Sequence, residues 1–100
     1  KTVSSNATGA GLDIVCATVE PGTRSKGITA FVLEKGDPGF TVGRNLPKMG
    51  ARCYPAGELF FEDCEIPADR RIGDEGQGFY GMLRWFDRTR VQVGANSLGI

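Results

Sequence analysis

GQGFYGMLRWFDRTRVQVGANSLGI, residues 76–100, reads as one long helix. Apolar residues recur at heptad spacing at Phe79, Phe86, Val93 and Ile100, with Met82 and Leu83 filling the adjoining positions of the first two turns. No proline interrupts it, and the glycines at 81, 94 and 99 weaken it without breaking it. At about 1.5 Å of rise per residue it spans roughly 35 Å, the diameter of a small domain. A helix of that length draws its stability mainly from the face it buries. The preceding chain offers little for it to be buried against, and an apolar residue still sits on the stripe at Ile100. The expectation is a bundle helix severed from its partners, and a chain that is a piece of a larger protein.

Composition is consistent with that. A chain of 100 residues is about one small domain, whose core is only moderately well buried. It opens on Lys1 rather than Met. Twelve basic and twelve acidic residues cancel, which argues against general binding to nucleic acid or anionic membrane. No apolar run approaches membrane-spanning length, and no basic-then-apolar signal segment opens the chain. Cys16, Cys53 and Cys64 are odd in number and lack a C-x-x-C pairing, which favours a reduced compartment over a disulfide framework and a protein that is not secreted. The absence of histidine excludes a histidine-based triad or a histidine zinc site within the chain, and no metal site is expected.

Residues 1–75 read as β structure. Val3 to Asn6 is short and polar, and Ala7 to Gly11 is a small-residue turn. In Leu12 to Val19, the run Ile14-Val15-Cys16-Ala17 is apolar on both faces, which predicts a buried strand. Glu20-Pro21-Gly22-Thr23 turns the chain, and Ile28 to Glu34, β-branched and aromatic, is the clearest strand. The two strands form an antiparallel hairpin. Asp37-Pro38-Gly39 makes a further turn before a short strand at Phe40 to Gly43, and residues 44–57 are irregular. A strand resumes at Glu58 to Glu62. The parity of its apolar residues shifts beyond Phe61, so a bulge or break is expected near Glu62-Asp63. Ala68 to Glu75 is a charged connector. The fold class is mainly β, an antiparallel barrel or sandwich fragment, followed by one long C-terminal α-helix.

The succession of short motifs resembles the flavin-dependent acyl-CoA dehydrogenases. Gly27 to Glu34 through Pro38-Gly39-Phe40, Met49-Gly50-Ala51-Arg52-Cys53 and Leu59 to Pro67 are similar to their middle β-domain. Gly73 to Phe79 and Phe86-Asp87-Arg88-Thr89-Arg90 are similar to the start of their C-terminal helical domain. The medium-chain branch looks most alike, since Met-Gly-x-Arg-Cys and Phe-Asp-x-Thr-Arg both occur there. The resemblance implies an α+β multidomain flavoprotein, with residues 1–75 the later middle β-domain and 76–100 the truncated first helix of the C-terminal bundle. It implies oxidation of the α,β C–C bond of an acyl-CoA to the enoyl-CoA, with hydride passing to FAD. It also implies a homo-oligomer, an electron-transferring flavoprotein as electron acceptor, and a bacterial cytoplasmic or mitochondrial matrix setting.

The same resemblance assigns residues. Ser4 and Ser5 fall in the stretch beside the flavin, Ser5 matching the hydroxyl residue near flavin N5 and Asn6 the residue after it, while Val3 replaces the usual Trp. A hydroxyl can donate to an unprotonated ring nitrogen and accept from a protonated one. Phe86, Asp87 and Arg90 match the segment lining the acyl-CoA channel near the pantetheine arm. On the residues alone, Ser4-Ser5-Asn6 also reads as a polar strand end, and Asp87 with Arg90, spaced i, i+3, as an ion pair on a solvated face. Thr89 stands where some relatives carry their glutamate base, so the base is expected outside this chain.

Glu58, Glu62, Asp63 and Glu65 read as solvated. Cys53 and Cys64 read as packed small hydrophobes. Arg70, Arg71, Arg84 and Arg88 read as a loose basic group, and the Gly73, Gly76, Gly78 loop as a turn into the helix rather than a phosphate cradle. Two further readings stay open: the same scaffold used as an oxidase or other flavoenzyme, and a non-catalytic binding or assembly module. The unpartnered apolar stripe generates a prediction for the isolated 100 residues, namely self-association in sedimentation; a strictly monomeric chain would count against a severed bundle helix.

Overall fold

The computed structural model describes residues 3–99. The elements, in chain order, are β1 (Ser4–Ser5), β2 (Leu12–Thr18), a 3-10 turn (Arg24–Gly27), β3 (Ile28–Glu34), β4 (Phe40–Asn45), β5 (Ala56–Phe61), a 3-10 turn (Ala68–Arg70), β6 (Arg71–Ile72) and α1 (Gly78–Leu98). Two three-stranded sheets result, ordered β1-β5-β4 and β2-β3-β6. The chain divides into two compact units, residues 1–15 with 32–70 and residues 16–31 with 71–100. The expected mainly β chain followed by one long helix is what forms.

The first unit is built on β5. Strand β1 pairs antiparallel with it at Ser4↔Gly57 and Ser5↔Ala56, and β4 pairs with its other edge from Phe40↔Phe61 to Asn45↔Gly57. Between Val42 and Asn45 the register shifts, so β4 gains one residue on its partner. Gly43 lies in that bulge, where a Cβ would come within 2.7 Å of the Phe60 ring. The apolar interior comprises Leu59, Phe40, Leu33, Ala56 and Ala7, with Leu59 only 1% exposed. Phe40 stacks on Phe61 at 5.3 Å between centroids, 15° from parallel. The break expected near Glu62-Asp63 is a strand end: Asp63 takes a left-handed φ of 47°, and the Glu62 amide turns to donate to the Gly39 carbonyl at 2.9 Å.

An ion cluster closes this unit. Arg70 Nη1 donates to Asp37 Oδ1 and Oδ2 at 2.7 and 2.6 Å, and Nη2 lies 3.4 Å from Glu34 Oε2. The Glu34 amide also donates to Asp37 Oδ2 at 2.7 Å. The Asp37 side chain is 11% exposed and that of Arg70 25%, so Arg70 is not the solvated connector residue expected. It fastens the turn after β5 to the turn before β4.

In the second unit, the Val19 amide donates to the Gly27 carbonyl at 2.8 Å and closes the β2–β3 hairpin. Strand β6, which falls inside the expected connector, pairs antiparallel with β3 at Ala30↔Ile72 and Phe31↔Arg71. Helix α1 starts at Gly78 rather than Gly76, because Gly76 has φ +76° and cannot continue a right-handed helix. It ends at Leu98, and Gly99 caps it by donating to Ala95 and Asn96 carbonyls. Ile100, the last position of the expected stripe, lies outside the described residues, as do Lys1 and Thr2. Past Met82 the helix is open: Trp85 is 61%, Val91 75% and Val93 63% exposed.

Strand β2 departs from the buried strand expected. Leu12 and Ile14 are 60% and 66% exposed, and Cys16 is exposed beside them. The 9%-exposed position is the polar Asp13. Alternation along a strand puts Leu12, Ile14 and Cys16 on one face, and no layer of the described residues covers it. Apolar runs on both faces signal burial only where a second layer exists.

The Asp37 carboxyl is held below its ordinary value, first by the Glu34 amide and then by the Arg70 guanidinium. A depressed carboxylate contributes stability that is in place above the ordinary value of 3.8 and is lost as the pH falls through the lower folded value. Asp37→Asn is therefore expected to lower the thermal midpoint by a constant amount at neutral pH, with the gap to wild type closing as the pH is taken below the ordinary carboxylate range. A gap independent of pH would show that the carboxylate charge is not what Arg70 holds.

Candidate functional site

The candidate residues fall in separate elements, Ser4 and Ser5 in the first unit and Phe86, Asp87 and Arg90 in the second. In β1 consecutive side chains face opposite ways. Ser4 is buried at 9% exposure, whereas Ser5 is exposed. Among the described residues the Ser5 hydroxyl makes no hydrogen bond, so both its donor and acceptor capacity remain open. Asn6 ends the strand with φ 59°; its amide donates to the Pro55 carbonyl at 2.6 Å, and its carbonyl accepts from Gly9 and Ala10. Val3 is 59% exposed, an aliphatic rather than an aromatic neighbour for whatever lies beside β1. A group that must be met by one outward hydroxyl fits Ser5 better than Ser4.

The geometry of α1 is set at its start. The Gly76 amide donates to Thr29 Oγ1 at 2.9 Å, and Thr29 is fully buried. A Cβ on Gly78 would lie 2.6 Å from the Ala30 amide nitrogen and 2.7 Å from the Thr29 carbonyl carbon. The Gly76 backbone likewise lies against the Lys26 carbonyl. These glycines therefore seat the helix on the backbone of β3, which is the turn role expected of the loop. Gln77 offers no side-chain cap to the helix, whose first turn carries no acidic residue.

Farther along, Arg90 Nη1 lies 3.5 Å from Asp87 Oδ1, with both side chains about seven-tenths exposed. An exposed i, i+3 pair of this kind is worth only a few tenths of a kcal/mol, roughly 0.2–0.5. It is weak enough to exchange for a ligand. Phe86 is 38% exposed and touches Trp85, with centroids 5.4 Å apart. The Thr89 hydroxyl donates back to the Phe86 carbonyl at 3.2 Å and is spent within the helix. A carboxylate that accepts, a guanidinium that donates and an aromatic ring thus share a short helical segment.

The remaining candidates separate. Arg70 is engaged by Asp37, and Arg71 by the Gly73 carbonyl and more distantly by Glu75, at 3.9 Å. Arg84 and Arg88 are exposed. Cys64 is half-buried, but Cys53 is exposed in an irregular loop, against the packed position expected, because residues 49–54 project from the sheet rather than pack under it. Glu62, Asp63 and Glu65 are exposed as expected, whereas Glu58 is half-buried on β5. Among the described residues, no cluster of three or more Cys, Asp or Glu could hold a metal ion. No helix among them is long and apolar enough to cross a membrane. Sequence reasoning missed the anchoring role of Thr29, a lone hydroxyl in an apolar strand.

The family model for the acyl-CoA dehydrogenase middle domain matches residues 1–64. Over 87 residues the chain is 47% identical to the cyclohex-1-ene-1-carbonyl-CoA dehydrogenase of Geobacter metallireducens, covering 87% of this chain and 23% of that protein. It is 45% identical over 86 residues to a probable acyl-CoA dehydrogenase of Mycobacterium tuberculosis, covering 86% of this chain and 22% of that one. The crystal structure of an acyl-CoA dehydrogenase from Geobacillus kaustophilus aligns with a TM-score of 0.79 at 38% identity, over 83% of this chain and 22% of that one. The chain belongs to the acyl-CoA dehydrogenase family. It spans between a fifth and a quarter of the length of the curated relatives it matches.

The seat of α1 gives a test. Gly78→Ala forces a methyl group against the β3 backbone, which cannot yield as a flexible side chain would. The expected loss is about 1–3 kcal/mol, the usual range for overpacking, measured by urea unfolding of the full-length protein. An unchanged midpoint would mean that the helix start is not held against β3.

Proposed function

We propose that this chain is the later middle β-domain, residues 1–75, and the first helix of the C-terminal bundle, residues 76–100, of a flavin-dependent acyl-CoA dehydrogenase. The reaction is oxidation of the α,β C–C bond of an acyl-CoA thioester to the enoyl-CoA, in an oligomeric enzyme that passes its electrons to an electron-transferring flavoprotein. The observation that carries this reading is membership of the family over most of the chain. When bound, FAD supplies the chemistry this chain lacks, acceptance of the hydride that leaves the β-carbon.

The residues present suit such a cofactor. Ser5, exposed with an open hydroxyl, would hydrogen-bond the flavin edge; Ser4, facing inward, would support the strand that presents it. On α1, Asp87 would accept from a pantetheine amide, Arg90 would donate to a carbonyl or hydroxyl, and Phe86 would line the apolar side of the channel. Removal of the α-proton requires a base. Thr89 is no acid and its hydroxyl is turned back into the helix, so on this reading, as the family resemblance implies, the base would come from another part of the enzyme.

The test is made in the full-length enzyme. Asp87→Asn and Arg90→Gln are each expected to raise KM for acyl-CoA about tenfold with a smaller change in kcat, as loss of uniform binding requires. Ser5→Ala is expected to slow flavin reduction by substrate while leaving acyl-CoA affinity unchanged. Unaltered KM in both helix variants would remove the pantetheine assignment. Rapid reoxidation of the reduced flavin by oxygen would favour the oxidase reading over a dehydrogenase.

A further inference from the structure

The overall charge balance hides a segregated distribution. From residue 38 to 57 there is no acidic residue, but there are three cations, Arg44, Lys48 and Arg52. All three lie in or beside the loop joining β4 to β5. The loop is braced by its own bonds: the Leu46 amide to the Ala56 carbonyl at 2.7 Å, the Tyr54 amide to the Ala51 carbonyl at 3.1 Å, Lys48 Nζ to the Tyr54 carbonyl at 2.6 Å and Arg52 Nε to the Lys48 carbonyl at 3.0 Å. Ala51, with φ 48°, makes the tight reversal. The loop is thus formed before any partner meets it, which lowers the ordering cost of an encounter.

Within it is an open basin of about 440 Å³, lined by Leu46, Pro47 and Pro55 together with Asn45 and the cationic Lys48 and Arg52. Beyond the basin, Met49 is fully exposed and Tyr54 is 53% exposed. Arg52 spends only Nε on the protein, so among the described residues both terminal nitrogens of its fork are open. Exposed Met, Tyr and Arg around an apolar depression match the residue types enriched at protein interfaces. A free phosphate would gain nothing from the apolar residues or from Met49.

We propose that the segment at residues 44–55, the end of β4 and the loop after it, is a docking surface for an acidic segment of a partner protein, one that carries carboxylates for Arg52 and Lys48 and an aliphatic side chain for the apolar residues between them. The carboxylate would take the Arg52 fork in a bidentate pair. Arg44, exposed at the end of β4, would steer the encounter without touching the basin. The proposal does not depend on the catalytic reading above, and its test leaves catalysis to be measured separately.

The test uses the full-length protein and a synthetic peptide alternating Glu with Leu, followed by fluorescence anisotropy. Binding is expected to weaken at least about fivefold between 0.05 and 0.3 M salt, because surface charges are screened within roughly 10 Å at 0.1 M. Arg52→Glu with Lys48→Glu is expected to weaken it at least about tenfold, as reversed charges do at a steered interface. Arg44→Glu removes no brace of the loop, so a roughly threefold or greater weakening in that variant, with the thermal midpoint unchanged, separates charge from misfolding. Affinity unaffected by any reversal would overturn the proposal. So would equal binding of polyglutamate without leucine, displacement by millimolar inorganic phosphate, or binding to vesicles of anionic lipid in place of the peptide.

Discussion

A buried hydroxyl and a missing methyl group fix the start of α1. Thr29, fully buried in β3, accepts the Gly76 amide, and Gly78 approaches the Thr29–Ala30 backbone more closely than a residue with a Cβ could. The hydrogen bond satisfies an amide that cannot enter the helix, because Gly76 stands at φ +76°. The close approach then sets where the first turn lies against the strand. Every later residue of α1 inherits its position from that contact, since the helix has no other extensive burial within its own unit beyond its first turns.

That dependence explains the exposure gradient along α1. Phe79 and Met82 are half-buried, whereas Trp85, Val91 and Val93 face outward. The helix is anchored at one end and carries exposed apolar residues among its polar ones farther along. The outward face of β2, with Leu12 and Ile14, has the same character in a sheet. Both leave large apolar side chains exposed, in a chain that spans less than a quarter of the length of the relatives named above.

Much of this was legible in the amino-acid sequence, for definite reasons. β3 announces itself by β-branched and aromatic residues between turns, β5 by the run Leu59-Phe60-Phe61, and α1 by heptad spacing without proline. The break at Asp63 showed as a change in the parity of apolar residues. Strand β6 was invisible, because two residues inside a charged segment carry no periodicity and owe their pairing to β3. Burial of β2 was misjudged because alternation reports which side chains share a face, not whether another layer covers it. At the candidate site, the residue types and spacing on α1 were readable, and the difference between Ser4 and Ser5 was not, since it depends on the register in which the short β1 pairs with β5.

The arginines show why residue type alone could not sort structural from functional positions. Arg70 sits seven residues before Gln77 in a segment, residues 58–75, that holds seven of the twelve acidic residues, yet its partner is Asp37, remote in sequence. Its fork is satisfied by one carboxylate at short range and a second nearby, and its exposure is low, so it has nothing left for a ligand. Arg52 lies in a stretch with no carboxylate at all, gives one nitrogen to a carbonyl to hold the loop, and keeps its fork outward. Arg90 is intermediate, paired at 3.5 Å with Asp87 but largely in solvent, where such a contact is cheaply exchanged. What a guanidinium can do is decided by the acceptors the fold brings to it, and that inventory exists only once strands distant in sequence have been paired.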